Sequence, residues 1–202
     1  MKLYVIPGAC SLAANISLRE ASVSFDVVCV DASTGSAADG VRFTDVNPKG
    51  YVPALCLEDG QVLTETVAIL MYIADRHPAA RLEPQGPPMQ RYRLLEWLCF
   101  INSEIHKAFS PLFISSAPHQ IKKYAHDHLA KRFDWLDKAV GSADFLMPQH
   151  FTVADAYLFT VLSWTAEVEI DLSRWPSLKR YHAQSGSRPA VAAALRSEGL
   201  WP

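Results

Sequence analysis

The 202-residue sequence predicts an α/β half followed by an all-helical half, and three observations carry that prediction. Short apolar runs rich in strand formers alternate with helix-spaced segments through residue 78. A proline-rich stretch at 79–88 then breaks the pattern. Beyond Met89, apolar residues recur only at helical spacing.

Composition narrows the class. Half the residues are hydrophobic and a fifth are charged, as expected of a chain that buries a sizeable core. The net charge of −2 leaves no broad basic field for nucleic acid or an anionic membrane surface. The longest apolar runs, such as 67–73, are too short to span a bilayer. Lys2 is followed by only four apolar residues before Pro7, far short of a secretory signal. The four cysteines, Cys10, Cys29, Cys56 and Cys99, are scattered and form no CxxC pair. A disulfide framework or a zinc ribbon is therefore not expected, and a reducing cytoplasm fits best.

In chain order, Lys2-Leu3-Tyr4-Val5-Ile6 reads as a strand, and Leu12, Ile16 and Glu20 read as a helix. Pro7 and Gly8 turn the backbone between them, so Cys10 and Ser11 fall where the helix begins. The first N–H groups of a helix lack internal partners and carry partial positive charge. A thiolate is an anion that such a site favours, although most unbridged cysteines are simply small buried hydrophobes. Residues 25–30 (Phe-Asp-Val-Val-Cys-Val) read as a second strand and complete a parallel βαβ unit. Residues 31–40 read as a mobile loop, and 41–46 as a short helix.

Asn47-Pro48-Lys49-Gly50-Tyr51-Val52-Pro53 lacks the spacing of a phosphate-binding loop. Residues 54–58 and 61–63 flank Asp59-Gly60, a two-residue hairpin signal. Thr64-Glu65-Thr66 opens a helix carrying Val67, Leu70, Met71 and Ala74, which ends at His77-Pro78. The resulting order β-α-β-α-β-β-α is thioredoxin-like.

In the second half, Leu94, Leu95, Leu98, Ile101, Ile105 and Phe109 mark a helix that Pro111 kinks or stops. Residues 119–140 form an amphipathic helix with Leu129, Phe133 and Leu136 on one face. Residues 152–168 form a helix apolar nearly all round, and thus a core helix. Thr152 and Asp155 have capping-box spacing at its start. Trp175-Pro176 and Arg188-Pro189 open the last two helices. His126 and His128, two apart on a helix, cannot share a face, so no metal site is expected there.

Taken together, these residues resemble the cytosolic glutathione transferases, and within them the bacterial beta class. The resemblance rests on residues 2–12 with Pro7-Gly8-Ala9-Cys10-Ser11, and on 47–55, 63–69 and Asp75-Arg76. It continues through Glu96-Trp97-Leu98, His106-Lys107, 151–162, 188–191 and Glu198-Gly199-Leu200, and so covers nearly the whole chain in order. It implies a thioredoxin-like glutathione-binding domain over 1–78, a linker over 79–88 and an all-helical domain over 89–202. It further implies glutathione as co-substrate, a small hydrophobic electrophile as second substrate, and a homodimer.

The resemblance also assigns roles. Pro53 matches the family's cis-proline, exposing the Val52 backbone to the cysteinyl part of glutathione. Glu65 faces the ammonium group, and Thr66 binds the γ-glutamyl carboxylate at a helix start. Tyr51, Cys99 and Lys107 complete the glutathione set, while Phe113 and Trp164 wall the electrophile pocket. Cys10, Ser11 and His106 form the chemical centre, with His106 orienting the sulfur or donating to it.

An ordinary thiol is only about 3% ionised at pH 7, and a shift of about two units needs roughly 2.7 kcal/mol. A helix terminus supplies about 0.3–1 kcal/mol. Hydrogen bonds to a charged group supply about 1.5–3 kcal/mol. Donors must therefore add to the dipole. Two modes stay open: glutathione's own thiolate held ready for attack, or a Cys10–glutathione mixed disulfide. In the second, Ala13 offers no resolving thiol, so a second glutathione must act.

The sequence departs from the beta class in four places. Tyr51 replaces a frequent Gln, the 32–36 loop has no basic residue, Cys99 replaces a common Asn, and Pro148 stands where Gly is usual. The first three bear on glutathione affinity rather than on fold. They also motivate the alternative, a transferase-like protein that binds ligands without catalysis.

Overall fold

Residues 1–147 and 149–200 are described by a computed structural model; Pro148 and the last two positions lie outside the described residues. By their internal contacts these residues form two compact units, 1–83 together with 187 onward, and 84–186.

In the first unit, strand β1 (Lys2–Val5) carries Leu3, Tyr4 and Val5, all buried, as a strand flanked on both sides and both faces requires. It pairs in parallel with β2 (Asp26–Cys29), Lys2 against Asp26 and Val5 against Cys29, across helix α1 (Ser11–Glu20). It pairs antiparallel with β3 (Ala54–Cys56), which continues antiparallel into β4 (Val62–Thr64). The sheet order is β2-β1-β3-β4, the thioredoxin-like arrangement expected from element order.

The 31–40 stretch, expected to be mobile, is stitched by hydrogen bonds. The Asp31 carboxylate accepts from the Ser33 N–H at 2.7 Å and the Thr34 N–H at 3.1 Å. Bridges Val30–Ala37 and Ser36–Arg42 close it ahead of α2 (Phe43–Val46). The β3–β4 hairpin also differs from expectation. Leu57 N–H donates to Gln61 O at 2.8 Å, leaving a loop of Glu58, Asp59 and Gly60 instead of two residues. Gly60, with φ of +85°, takes the left-handed position that ends such a three-residue loop.

Helix α3 (Thr66–Arg76) follows β4. It buries Ile69, Leu70, Ile73 and Ala74, while Val67 and Met71 are only half-buried, so its inward face is rotated from the expected stripe. Helix α1 packs on α3 and also on α9 (Pro189–Ser197), which groups with this unit although it comes last in the chain. Polar contacts tie α9 down. Arg188 makes two bonds to the Glu20 carboxylate at 2.6 and 2.9 Å, and Asn15 Nδ2 donates to Glu198 Oε1 at 2.8 Å.

The second unit has no strand among the described residues. Helix α4 (Pro88–Phe100) buries Leu94 and Leu98, but Leu95 faces solvent. A π-helical turn (Ile101–His106) joins it to α5 (Lys107–Phe113). Pro111 lies inside α5, which stops at Phe113. Next come α6 (His119–Val140), α7 (Val153–Ser163) and α8 (Pro176–Gly186).

Helix α7 is buried along its first ten residues, as its all-round apolar sequence demands, but ends five residues before the expected 168. Hydroxyls capture the carbonyls there: Ser163 Oγ donates to Phe159 O at 2.9 Å and Thr165 Oγ1 to Leu162 O at 2.7 Å. The capping box at its start is closed, with the Thr152 N–H donating to Asp155 Oδ2 at 2.7 Å.

Candidate functional site

The turn from β1 into α1 is set by Gly8, whose φ of +76° suits a residue without a Cβ, and by the Ala9 N–H bonded to Ile6 O at 2.9 Å. Cys10 is the N-cap of α1 and Ser11 its first residue. The Ser11 side chain is buried, and its hydroxyl accepts from the Ile6 N–H and donates to Ile6 O, each at 3.3 Å. Ser11 therefore braces the turn that presents Cys10. The Cys10 thiol is half-buried and donates to Val52 O at 3.4 Å. A carbonyl accepts from a thiol but offers nothing to a thiolate, so this contact serves the protonated sulfur only.

Val52 precedes the cis peptide to Pro53, at the position the sequence singles out. The loop before it is held by Asn47, whose Nδ2 donates to Tyr51 O at 2.7 Å and whose Oδ1 accepts from the Lys49 N–H at 3.2 Å. Tyr51 and Lys49 then converge on Glu65. Its Oε1 accepts from Lys49 Nζ at 2.6 Å and from the Tyr51 hydroxyl at 2.8 Å. The Glu65 carboxylate holds both the Lys49 ammonium and the Tyr51 phenol above their usual ranges. The Glu65 backbone, at φ 72° and ψ 122°, lies in a sparsely populated region of the kind found at ligand sites. Thr66, the first residue of α3, is buried beside it.

In the second unit, His106 closes the π-helical turn, a feature frequent at functional sites. Its Nδ1 lies 2.6 Å from the Tyr157 hydroxyl, which in turn donates to Asn102 Oδ1 at 2.9 Å. Burial pushes the imidazole down to about 4, with the Lys107 charge adding to the effect. Trp164 stands edge-on to His106 at 4.9 Å between ring centroids, and to Phe113 at 5.7 Å. Trp164 is buried while Phe113 is half-exposed, so the pair offers an aromatic wall with one open side. Cys99 and Lys107 are both exposed.

Of the residues expected from the sequence, the structure brings Cys10 to Val52, and Tyr51 to Glu65, within the first unit. It brings His106, Trp164 and Phe113 together within the second. Family models for the N-terminal and C-terminal domains of glutathione S-transferases match residues 1–75 and 100–189. The glutathione S-transferase GstA of Escherichia coli O157:H7 is 42% identical over 99% of this chain and its own full length. The chain belongs to the glutathione S-transferase family.

Among solved structures of this family, a beta-class glutathione S-transferase from Sphingomonas chungbukensis is 46% identical, with a TM-score of 0.95 over 99% of this chain and all of its own. A sphingomonad glutathione S-transferase solved in complex with glutathione matches equally well. The chain is thus a glutathione S-transferase of the bacterial beta class. Among the described residues no group of three or more His, Cys, Asp and Glu side chains could hold a metal ion. No described helix is long and apolar enough to cross a membrane.

Sequence reasoning passed over three residues of this glutathione transferase. Lys49 lies in a segment weighed and rejected as a phosphate loop, yet its ammonium shares the Glu65 carboxylate with the Tyr51 hydroxyl. Asn102 stands four before His106, a spacing that places two side chains on one helical face. Tyr157, in the middle of an apolar helix, reads as core, but a buried phenol needs a hydrogen-bond partner. That need was the available signal.

Proposed function

We propose that this enzyme conjugates glutathione to small hydrophobic electrophiles. The observation that carries the reading is the set of contacts in the first unit on either side of Val52: Cys10 Sγ on Val52 O, and Tyr51 with Lys49 on Glu65. A tripeptide with an ammonium at one end and a thiol in the middle has the chemistry to meet these groups. Val52 pairs with the cysteinyl backbone, Glu65 faces the ammonium, and Thr66 at the head of α3 takes the γ-glutamyl carboxylate. Ser11 positions Cys10 beside the sulfur.

In the second unit His106 serves the reacting sulfur, Trp164 and Phe113 receive the electrophile, and Lys107 and Cys99 complete the glutathione set. This division of labour resembles the domains read from the sequence, 1–78, a linker over 79–88 and 89–202, except that residues 187 onward group with the first unit. The enzyme works as a homodimer in the cytoplasm, and no metal enters the reaction.

The same cysteine supports thiol–disulfide chemistry. The Cys10 thiolate attacks the glutathione sulfur of a glutathionylated substrate disulfide, the substrate thiolate leaves, and a second glutathione then releases Cys10 by carrying the bound glutathione away as glutathione disulfide. Ala13 provides no internal thiol for that step. The alternative, ligand binding without catalysis, is disfavoured by full-length similarity to a named glutathione S-transferase.

The test is conjugation of glutathione to a chlorinated nitrobenzene, followed spectrophotometrically, alongside retention on immobilised glutathione. Turnover with retention is expected. Absence of both overturns the proposal.

A further inference from the structure

A phenol has one proton to give, and the Tyr157 proton goes to Asn102 Oδ1 at 2.9 Å. The 2.6 Å contact between Tyr157 and His106 Nδ1 must then be filled by a proton on the imidazole nitrogen. In a neutral ring, a proton on Nδ1 leaves Nε2 with a bare lone pair. Asn102 and His106 both belong to the π-helical turn of residues 101–106, and Tyr157 sits fully buried in α7 facing them.

We infer that Tyr157 and Asn102 are positioning residues that lock His106 as its Nδ1–H tautomer, so that Nε2 meets any ligand as a hydrogen-bond acceptor. The inference rests on the proposed role of His106 toward the sulfur, and it decides between the two parts that role leaves open. A ring in this state cannot donate to a thiolate. It accepts from an S–H or N–H donor of the substrate and so orients it. Burial of the imidazole agrees with a neutral ring, and proton transfer from an ordinary thiol to it is uphill by roughly four powers of ten. His106 therefore acts by orientation, while the thiol proton leaves by another path.

The test is 15N and 13C NMR of the histidine rings in the full-length protein, with His106 assigned by its loss in His106→Ala. The wild type is expected to show a protonated Nδ1 and an unprotonated Nε2. In Asn102→Leu the Tyr157 proton loses the Asn102 Oδ1 acceptor and turns to Nδ1, so the ring should flip to Nε2–H although Tyr157 is untouched. Asn102→Asp, which keeps an acceptor, should retain the wild-type tautomer. Conjugation should fall at least ten-fold in kcat in Asn102→Leu and recover in Asn102→Asp, with the KM for glutathione changed less than three-fold.

A wild-type Nε2–H signal, or an unflipped ring in folded Asn102→Leu, overturns the inference. So does a flipped ring with unchanged kcat. Should Asn102→Leu fail to fold, Tyr157→Phe reads the same point, since removing the phenol frees Nδ1 and must erase the pure Nδ1–H signature. If His106→Ala conjugates at the wild-type rate, the role of His106 falls while the tautomer assignment is judged on its own spectra.

Discussion

Glu65 is held in an uncommon backbone conformation, at φ 72°, with its carboxylate gripped by a lysine and a tyrosine. About half of both the Lys49 and Glu65 side chains is exposed, so their ion pair contributes little to stability. Its effect is to aim a charged acceptor at the head of α3, where a ligand ammonium would meet it. Glu65→Gln is accordingly expected to weaken glutathione binding roughly ten-fold or more, the scale of a lost hydrogen bond to a charged group. The midpoint of urea unfolding should hardly move. Calorimetry with glutathione and a denaturation curve read the two effects separately. A variant that lost stability but bound as before would make Glu65 a structural residue. As candidate site residues, Glu65 and Tyr51 were legible through the family resemblance. Their mutual hydrogen bond and Lys49 were not, because side-chain convergence across 14 to 16 positions leaves no local pattern.

Helix α7 illustrates what an element can disclose in advance and what it cannot. Its capping box was readable because Thr152 and Asp155 are three apart, and capping chemistry is local. The other bonds to Asp155 were hidden: Leu146 N–H at 2.7 Å and the Tyr181 hydroxyl at 2.6 Å, brought in by a loop and by α8. Burial pushes the Asp155 carboxyl up while these donors pull it down. Removing the carboxylate in Asp155→Ala strips a cap worth about 1 kcal/mol and leaves buried donors unpaired at about 1–3 kcal/mol each. A loss of roughly 3 kcal/mol or more is expected in chemical denaturation, and a loss below about 1 kcal/mol would contradict it. The hairpin and the C-terminus of α7 were misjudged for a related reason. A glycine at positive φ and two side-chain hydroxyls, Ser163 and Thr165, decided those boundaries, whereas apolar periodicity is blind to both.

At the scale of the molecule, the contacts that the sequence concealed include those that join the first turn to the last helix. Gly8 N–H donates to Glu198 Oε2 at 2.9 Å across 190 positions, and Arg188 meets Glu20 across 168. Element order could be read from local patterns, but no pattern of spacing announces partners so far apart.

The same scale governs the response to acid. His106 is held near 4 by burial, against about 6.5 in an unfolded chain, and burial also lowers His182. Between those values the unfolded chain binds protons that the folded one refuses, so stability falls as pH falls. The contribution of His106 is complete above pH 6.5 and lost by about pH 4, and amounts to on the order of 3 kcal/mol. Buried Glu198 and Asp155, whose carboxyls are raised, act with the opposite sign, since acid relieves the cost of burying their charge. The total curve therefore mixes both signs, and the clean quantity is a difference. Stability measured from pH 7.5 to 4.5 in wild type and in His106→Gln should diverge in slope below pH 6.5, with the wild type the steeper. Parallel curves, or a His106 ring that titrates near 6.5 by NMR, would mean that water reaches the imidazole freely.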